Sequence, residues 1–288
     1  MPLPMTILDG TKLPRVLFSV RPLSPFDLLK KVYGRGVTYF DLPSPKHLER
    51  FRELRQLTED KNLMGLCHVE AEEGVSLFGK PLRQFETKVI STIRKNLNLP
   101  PTVRNLPFTP FSSEVLTQKE IDRITFEPRR FDKTLSRFRP EESPFLLVGE
   151  RYGDWLLALG KIDLLKEMVA RMREKGFLPI YSGQWATFAL PKAKSLDVVA
   201  YAIPINKTWG LFDLTQACNL IRKFDRPIIS LNPLADGRLL KGSEEAFSFL
   251  FNELKVYVAI VEVDSEQEVE VVLGAVGEVP SFIPPRKT

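Results

Sequence analysis

The sequence predicts an α/β protein: a (β/α)8 TIM barrel with an insertion between helix 3 and strand 4. Three observations carry that expectation. Eight short apolar stretches alternate with amphipathic helical stretches along most of the 288 residues. The stretches are apolar on both faces, as strands of a covered parallel sheet are. The first of them, LPRVLFSV, runs into RPLSP without a glycine. An open doubly wound sheet would place a glycine-rich phosphate loop there.

In chain order, residues 13–20 read as the first strand. Residues 24–36 read as a helix, with Ser24 as N-cap, proline in the first turn and glycine beyond the end. VTYFDL (37–42) is the second strand, stopped by two prolines that cannot donate to a ladder. Leu48, Phe51, Leu54 and Leu57 recur every three residues and give 45–62 one apolar helical face. Residues 63–71 are the third strand and 81–97 the third helix.

Residues 99–144 break this rhythm with seven prolines and many charges. They read as an insertion or extended loop with little structure of its own, apart from a short helix over 117–124. The alternation then resumes. Strands are expected at 144–150, 177–183, 196–204, 226–232 and 255–263. Helices are expected at 163–176, 212–225, 243–254 and 265–278. WATFALPKAK (185–194) reads as a segment closing the barrel's edge. The chain is expected to form one barrel domain, with 279–288 a flexible tail.

Composition narrows the function classes. With 43% hydrophobic and 27% charged residues the chain is an ordinary soluble globular one. It has no run of 18 apolar residues for a membrane helix and no secretory pattern at its start, so a cytoplasmic protein is expected. Cys67 and Cys218 lack metal or redox spacing and read as buried, reduced cysteines. The net charge of +5 is spread over 41 basic and 36 acidic residues that intermix on helix faces. That argues against a nucleic-acid partner.

In such a barrel, chemistry sits at the C-terminal ends of the strands. There the sequence places Ser19 and Arg21; Asp41, Lys46 and His47; His68 and Glu70; Glu150; Asn206; Asn232, Asp236 and Arg238; and Glu262 and Asp264. An aspartate closing a buried strand is costly unless its charge is used. Asp41, Lys46, His68 and Glu150 are the candidate catalytic set. Asp41 would orient or accept a proton, His68 would act as acid or base near neutral pH, and Lys46 would hold an anionic group.

Several stretches resemble the aldo/keto reductase superfamily. RPIISLNPLADGRL (226–239) is similar to its seventh strand, and GVTYFDLPSPK to its second-strand motif. LDVVAYAIPINKT is similar to its sixth strand, with Asn206 at the usual asparagine. VYVAIVEVDSEQEVEVVLGA is similar to its last strand and phosphate-binding helix. The resemblance implies NADP and a hydride transfer to a carbonyl, with a tyrosine donating the proton beside a lysine, an aspartate and a histidine. On this sequence Asp41 matches. The tyrosine position is Lys46, the lysine position His68, and the histidine position Gly149 or Glu150. Asn206, Asn232 and Arg238 fall on the cofactor side, where Asn232 replaces a lysine. Glu262 and Asp264 stand where the resemblance would place glycine beside a phosphate, and they disfavour NADP.

Three readings follow. One is a barrel without NADP-dependent carbonyl reduction that binds a small molecule or a protein partner. Another is an oxidoreductase with a rearranged acid/base set around Asp41 and His68. The last is a non-redox enzyme, metal-assisted or not, using Asp41, His68 and Glu150.

Overall fold

A computed structural model describes residues 3–96, 114–208, 213–277 and 279–282. The chain opens with a hairpin, β1 (Met5–Leu8) and β2 (Thr11–Pro14), paired antiparallel. The expected first strand is therefore broken. Leu13 and Pro14 belong to the hairpin, and the barrel begins only at β3 (Val16–Val20). Helix α1 (Phe26–Gly34) follows, with Pro25 rather than Ser24 at its N-cap. Next come β4 (Tyr39–Leu42), α2 (Pro45–Thr58) and β5 (Met64–Glu70).

The stretch after β5 departs from expectation. A 3₁₀ turn leads into β6 (Val75–Leu77) and β7 (Lys80–Pro81), and a second 3₁₀ turn leads into α3 (Glu86–Asn96). Residues 97–113, including the start of the expected insertion, lie outside the described residues. The rest is structured: α4 (Gln118–Asp122), β8 (Ile124–Phe126) and α5 (Pro128–Leu135). A full capping box of Thr117 and Glu120 starts α4. Strand β8 pairs with β6, so β7, β6 and β8 form a small antiparallel sheet of their own. The Glu127 amide donates to Gly74 O at 2.8 Å, joining the two ends of this excursion.

Helix α5 then leads to the fourth barrel strand, β9 (Phe145–Gly149). Both α3 and α5 therefore lie between the third and fourth barrel strands, and both bury apolar residues in the core. Phe131 sits beside Met168 in the next helical layer, around Gly74. Arg52 of α2 donates to Arg137 O at 2.8 Å and pairs with the buried Glu142.

The chain continues with α6 (Glu150–Ala158), α7 (Ile162–Glu174), β10 (Leu178–Ser182) and α8 (Ala186–Ala193). It closes with β11 (Ala200–Pro204), α9 (Leu214–Lys223), β12 (Ile228–Leu231), α10 (Ser243–Ser248), β13 (Val258–Val263) and α11 (Glu266–Val276). Helices α6 and α8 were not foreseen. The first starts without a loop, directly on Gly149, and the second carries Pro191 within it.

Eight parallel strands close the barrel in the order β10-β11-β12-β13-β3-β4-β5-β9. Leu17, Leu66, Phe145, Leu147, Ile180, Ile229 and Ile260 fill its interior. Leu8 and Leu13 of the hairpin join that cluster and plug the bottom. A second apolar layer lies between strands and helices.

The described part of the expected flexible tail is docked. Phe282 N donates to Met5 O at 2.9 Å, and the Phe282 ring meets Tyr257 edge-on. Arg15 is the clasp. Its guanidinium donates to Val256 O, Tyr257 O and Pro280 O at 2.8, 3.3 and 2.7 Å, and lies over the rings of Phe251 and Phe282. Among the described residues it has no carboxylate partner, and burial lowers its pKa to about 10. Arg15→Ala is expected to cost about 2–4 kcal/mol, from charged hydrogen bonds and desolvated cation–π contacts. The Tm should fall and the Phe282 amide should exchange faster. Unchanged values of both would show that the clasp does not hold the tail.

Candidate functional site

The candidate residues sit where the barrel's inward positions reach its rim. Inward residues alternate along a strand. Tyr39 and Leu66 belong to the interior cluster, so Asp41 and His68, two residues on, stand above them. Gly149 ends β9 in a left-handed conformation, φ 124°, and a Cβ there would collide with the Ser182 carbonyl. Only glycine fits. Glu150 follows at φ 51°, and this turn aims its carboxylate back at His68.

The three side chains form a triad. His68 Nε2 lies 2.8 Å from Asp41 Oδ1, and His68 Nδ1 lies 2.9 Å from Glu150 Oε1. The His68 side chain is 10% exposed, that of Asp41 4% and that of Glu150 37%. Burial alone would strip the imidazole of its proton, but the two carboxylates outweigh it and raise the pKa from 6.5 to about 10. At neutral pH His68 is an imidazolium donating both of its N–H groups to carboxylates. The hydrogen bond from His68 holds Glu150 below the ordinary glutamate pKa.

Lys46 is not part of this arrangement. It is exposed in the first turn of α2 and stands apart from the cavity above His68. Its neighbour His47 is buried instead, 2.7 Å from Ser44 Oγ, and burial lowers its pKa.

That cavity has a volume of about 410 Å³. Asp41 and His68 form one side, and the β12 and β13 ends with the start of α11 form the other. The three expected cofactor residues have separate fates. Asn206 is buried and spends its side chain locally, donating to Asn232 O at 3.0 Å and accepting from Thr208 N at 3.1 Å. Asn232 lines the cavity, but its amide is engaged with Asp236, donating at 2.8 Å and accepting at 2.7 Å. Arg238 lies outside the cavity lining and donates to Ala235 O at 2.8 Å.

Arg21 was noticed at a strand end but given no role. It lies between Glu262 and Asp264, donating at 2.8 Å to each. Ser265 caps α11, and its Oγ accepts from Glu268 N at 3.3 Å. Glu268 Oε2 accepts from Asp264 N at 2.9 Å. The chain's own oxygens thus occupy donors at the start of α11 that an anion would otherwise use.

No protein-family model and no curated protein matches the sequence. Solved structures do. The holo form of an aldo-keto reductase from Bacillus halodurans matches over 98% of this chain and 93% of its own, with TM-score 0.58 at 12% identity. A thermostable aldo-keto reductase in complex with the inhibitor epalrestat matches over 96% and 95%, with TM-score 0.56 at 12% identity. An aldo-keto reductase from a Medee basin deep-sea metagenome library matches over 98% and 91%, with TM-score 0.51 at 10% identity. The likeness shows that the chain has the aldo-keto reductase fold.

The triad makes a pH-dependent contribution of definite sign. A pKa raised on folding stabilises the protein fully below the unfolded value of about 6.5, and the gain is lost as pH rises through about 10. The wild-type Tm is therefore expected to fall between about pH 7 and about pH 10. His68→Gln should flatten that slope and cost about 3–5 kcal/mol near neutral pH, because it leaves buried carboxylates uncompensated. A wild-type Tm that is level across this range would contradict a shared imidazolium.

Proposed function

We propose that this chain is a divergent aldo/keto-reductase-like protein whose barrel mouth binds a small molecule and does not carry out NADP-dependent carbonyl reduction. The observation that carries this reading is the use of both His68 nitrogens. A proton donor to a carbonyl needs an N–H or O–H directed at the substrate oxygen. An imidazolium has two such groups, and Asp41 and Glu150 accept one each at 2.8 and 2.9 Å. Lys46 is exposed and does not line the cavity. Neither His68 nor Lys46 has a proton aimed into the cavity.

The residues on the other side of the cavity do not fit a dinucleotide phosphate. Asn232 is neutral and tied to Asp236. Glu262, Asp264 and Glu268 present carboxylates, and the single guanidinium among them, Arg21, is already paired twice. Like charges at such separations repel, and a cavity wall screens them less than bulk water does. The triad also lacks the form of a metal site. His68 stands between its two carboxylates with one nitrogen toward each, so the three groups do not converge on a common point.

Titration of NADPH and NADH, followed through nicotinamide fluorescence, tests this reading. No saturable change is expected up to millimolar cofactor. Saturable binding at micromolar concentration would overturn it, and reduction of any carbonyl substrate with NADPH would do so outright.

A further inference from the structure

The cavity is lined by more acids than bases. Asp41, Asp236, Glu262, Asp264 and Glu268 line it, against Arg21 and His68. Arg238, outside the lining, pairs with Asp236 at 3.6 Å. Acids at a rim often only face water, so the charge alone does not define a site. A second feature does.

Ser19 lines the same cavity and is 4% exposed. Its hydroxyl has no hydrogen-bond partner among the described residues. What little of the residue is exposed opens on the cavity, so the hydroxyl is left for whatever fills it. It is aimed inward, two residues after Leu17 of the interior cluster. Strand register places it between two of the acids. Glu262 on β13 pairs with Ser19 on β3, and Phe18↔Phe40 sets Asp41 on β4 beside it. The result is a row across three adjacent strands: carboxylate, free hydroxyl, carboxylate. Glu262 is tied to Arg21 through Oε1, and Asp41 to His68 through Oδ1.

We propose that this row receives the ammonium group of a small organic amine, seated on the Ser19 hydroxyl between Asp41 and Glu262. The inference rests on the reading above that no nicotinamide occupies the mouth. An ammonium has three donors and no acceptor, which matches three oxygen acceptors in a row. Leu231, Leu234 and Ile260 line the same cavity and give an alkyl chain an apolar wall. A cavity of about 410 Å³ is of the size that small-molecule sites have. A bare metal ion suits the place less well, since no group of three ligating side chains is gathered for one among the described residues.

Isothermal titration calorimetry with n-butylamine, and with butanoate as the anionic control, tests the proposal. Saturable butylamine binding with no butanoate binding is expected. Ser19→Ala should weaken the amine about tenfold, as loss of one hydrogen bond to a charged group does. Glu262→Gln should weaken it at least as much, while circular dichroism confirms that both variants fold. Butylamine that gives no saturable heat, or binds Ser19→Ala as well as wild type, overturns the proposal. The NADPH titration separates the two readings. NADPH silent with butylamine silent rejects the amine alone, whereas NADPH binding rejects the reading beneath it.

Discussion

Closure of the barrel fixes the register between the last strand and the first, and the mouth depends on that register. Ala259 pairs with Val16, and three and four residues on Glu262 and Val263 face Ser19 and Val20. The same seam brings Arg21 to Glu262 and Asp264, residues more than two hundred positions away in sequence. A slip of one residue would turn every side chain on β13 to the other face. Glu262 would then point toward the helices and Val261 or Val263 into the cavity. The acidity of the mouth is thus a property of strand pairing, set by the apolar residues below it.

The two ends of the barrel each bury a cation and compensate it by different means. At the rim His68 is flanked by two carboxylates, which keep its proton bound up to about pH 10. At the base Arg15 meets only carbonyl oxygens and aromatic rings among the described residues, and burial lowers its pKa to about the same value. Carbonyls and ring faces offer partial charges and cannot repay the full cost of desolvation. They do direct the guanidinium, and through it they bind the β13 entrance to the hairpin and to Pro280. The rim triad exchanges that mechanical role for a concentration of charge.

Much of the fold was legible because strand and helix alternation depends on apolar periodicity, which sequence carries directly. The eight barrel strands lie close to their expected places, and the β5 and β9 ends deliver His68 and Glu150 as the alternation implied. What escaped was governed by contacts between distant segments. Nothing local in LPRVLFSV says that Leu13 turns into a hairpin. Helix α6 begins on a left-handed Gly149–Glu150 pair, which reads as a loop. Pro191 hid α8. The presence of α5 as a second helix before the fourth strand rests on Phe131 packing near Met168, a tertiary fact. At the site, the pairing of Asp41 with His68 follows from neighbouring strands, but the orientation of Glu150 follows from one backbone turn. Lys46 stands apart from the triad because α2 starts immediately after Ser44, which leaves that side chain exposed. Arg21 was visible as a residue, and only barrel closure revealed what it holds.

The hydrogen bond from Glu127 to Gly74 has a consequence for how such a chain can change. The excursion through 75–126 starts and ends side by side, yet Val75, Leu77, Leu82, Val89, Ile90 and Ile93 within it are buried in the main apolar cluster. A segment whose ends already touch adds little strain to its host, and the entropy of closing a loop grows only slowly with its length. Extensions at its exposed turn, 78–79, therefore need not disturb the register of β5 against β9. Substitutions on its buried apolar face, by contrast, act on the core that the barrel itself uses. Inheritance is free to lengthen this segment at its rim and is bound by packing where it meets the helical layer.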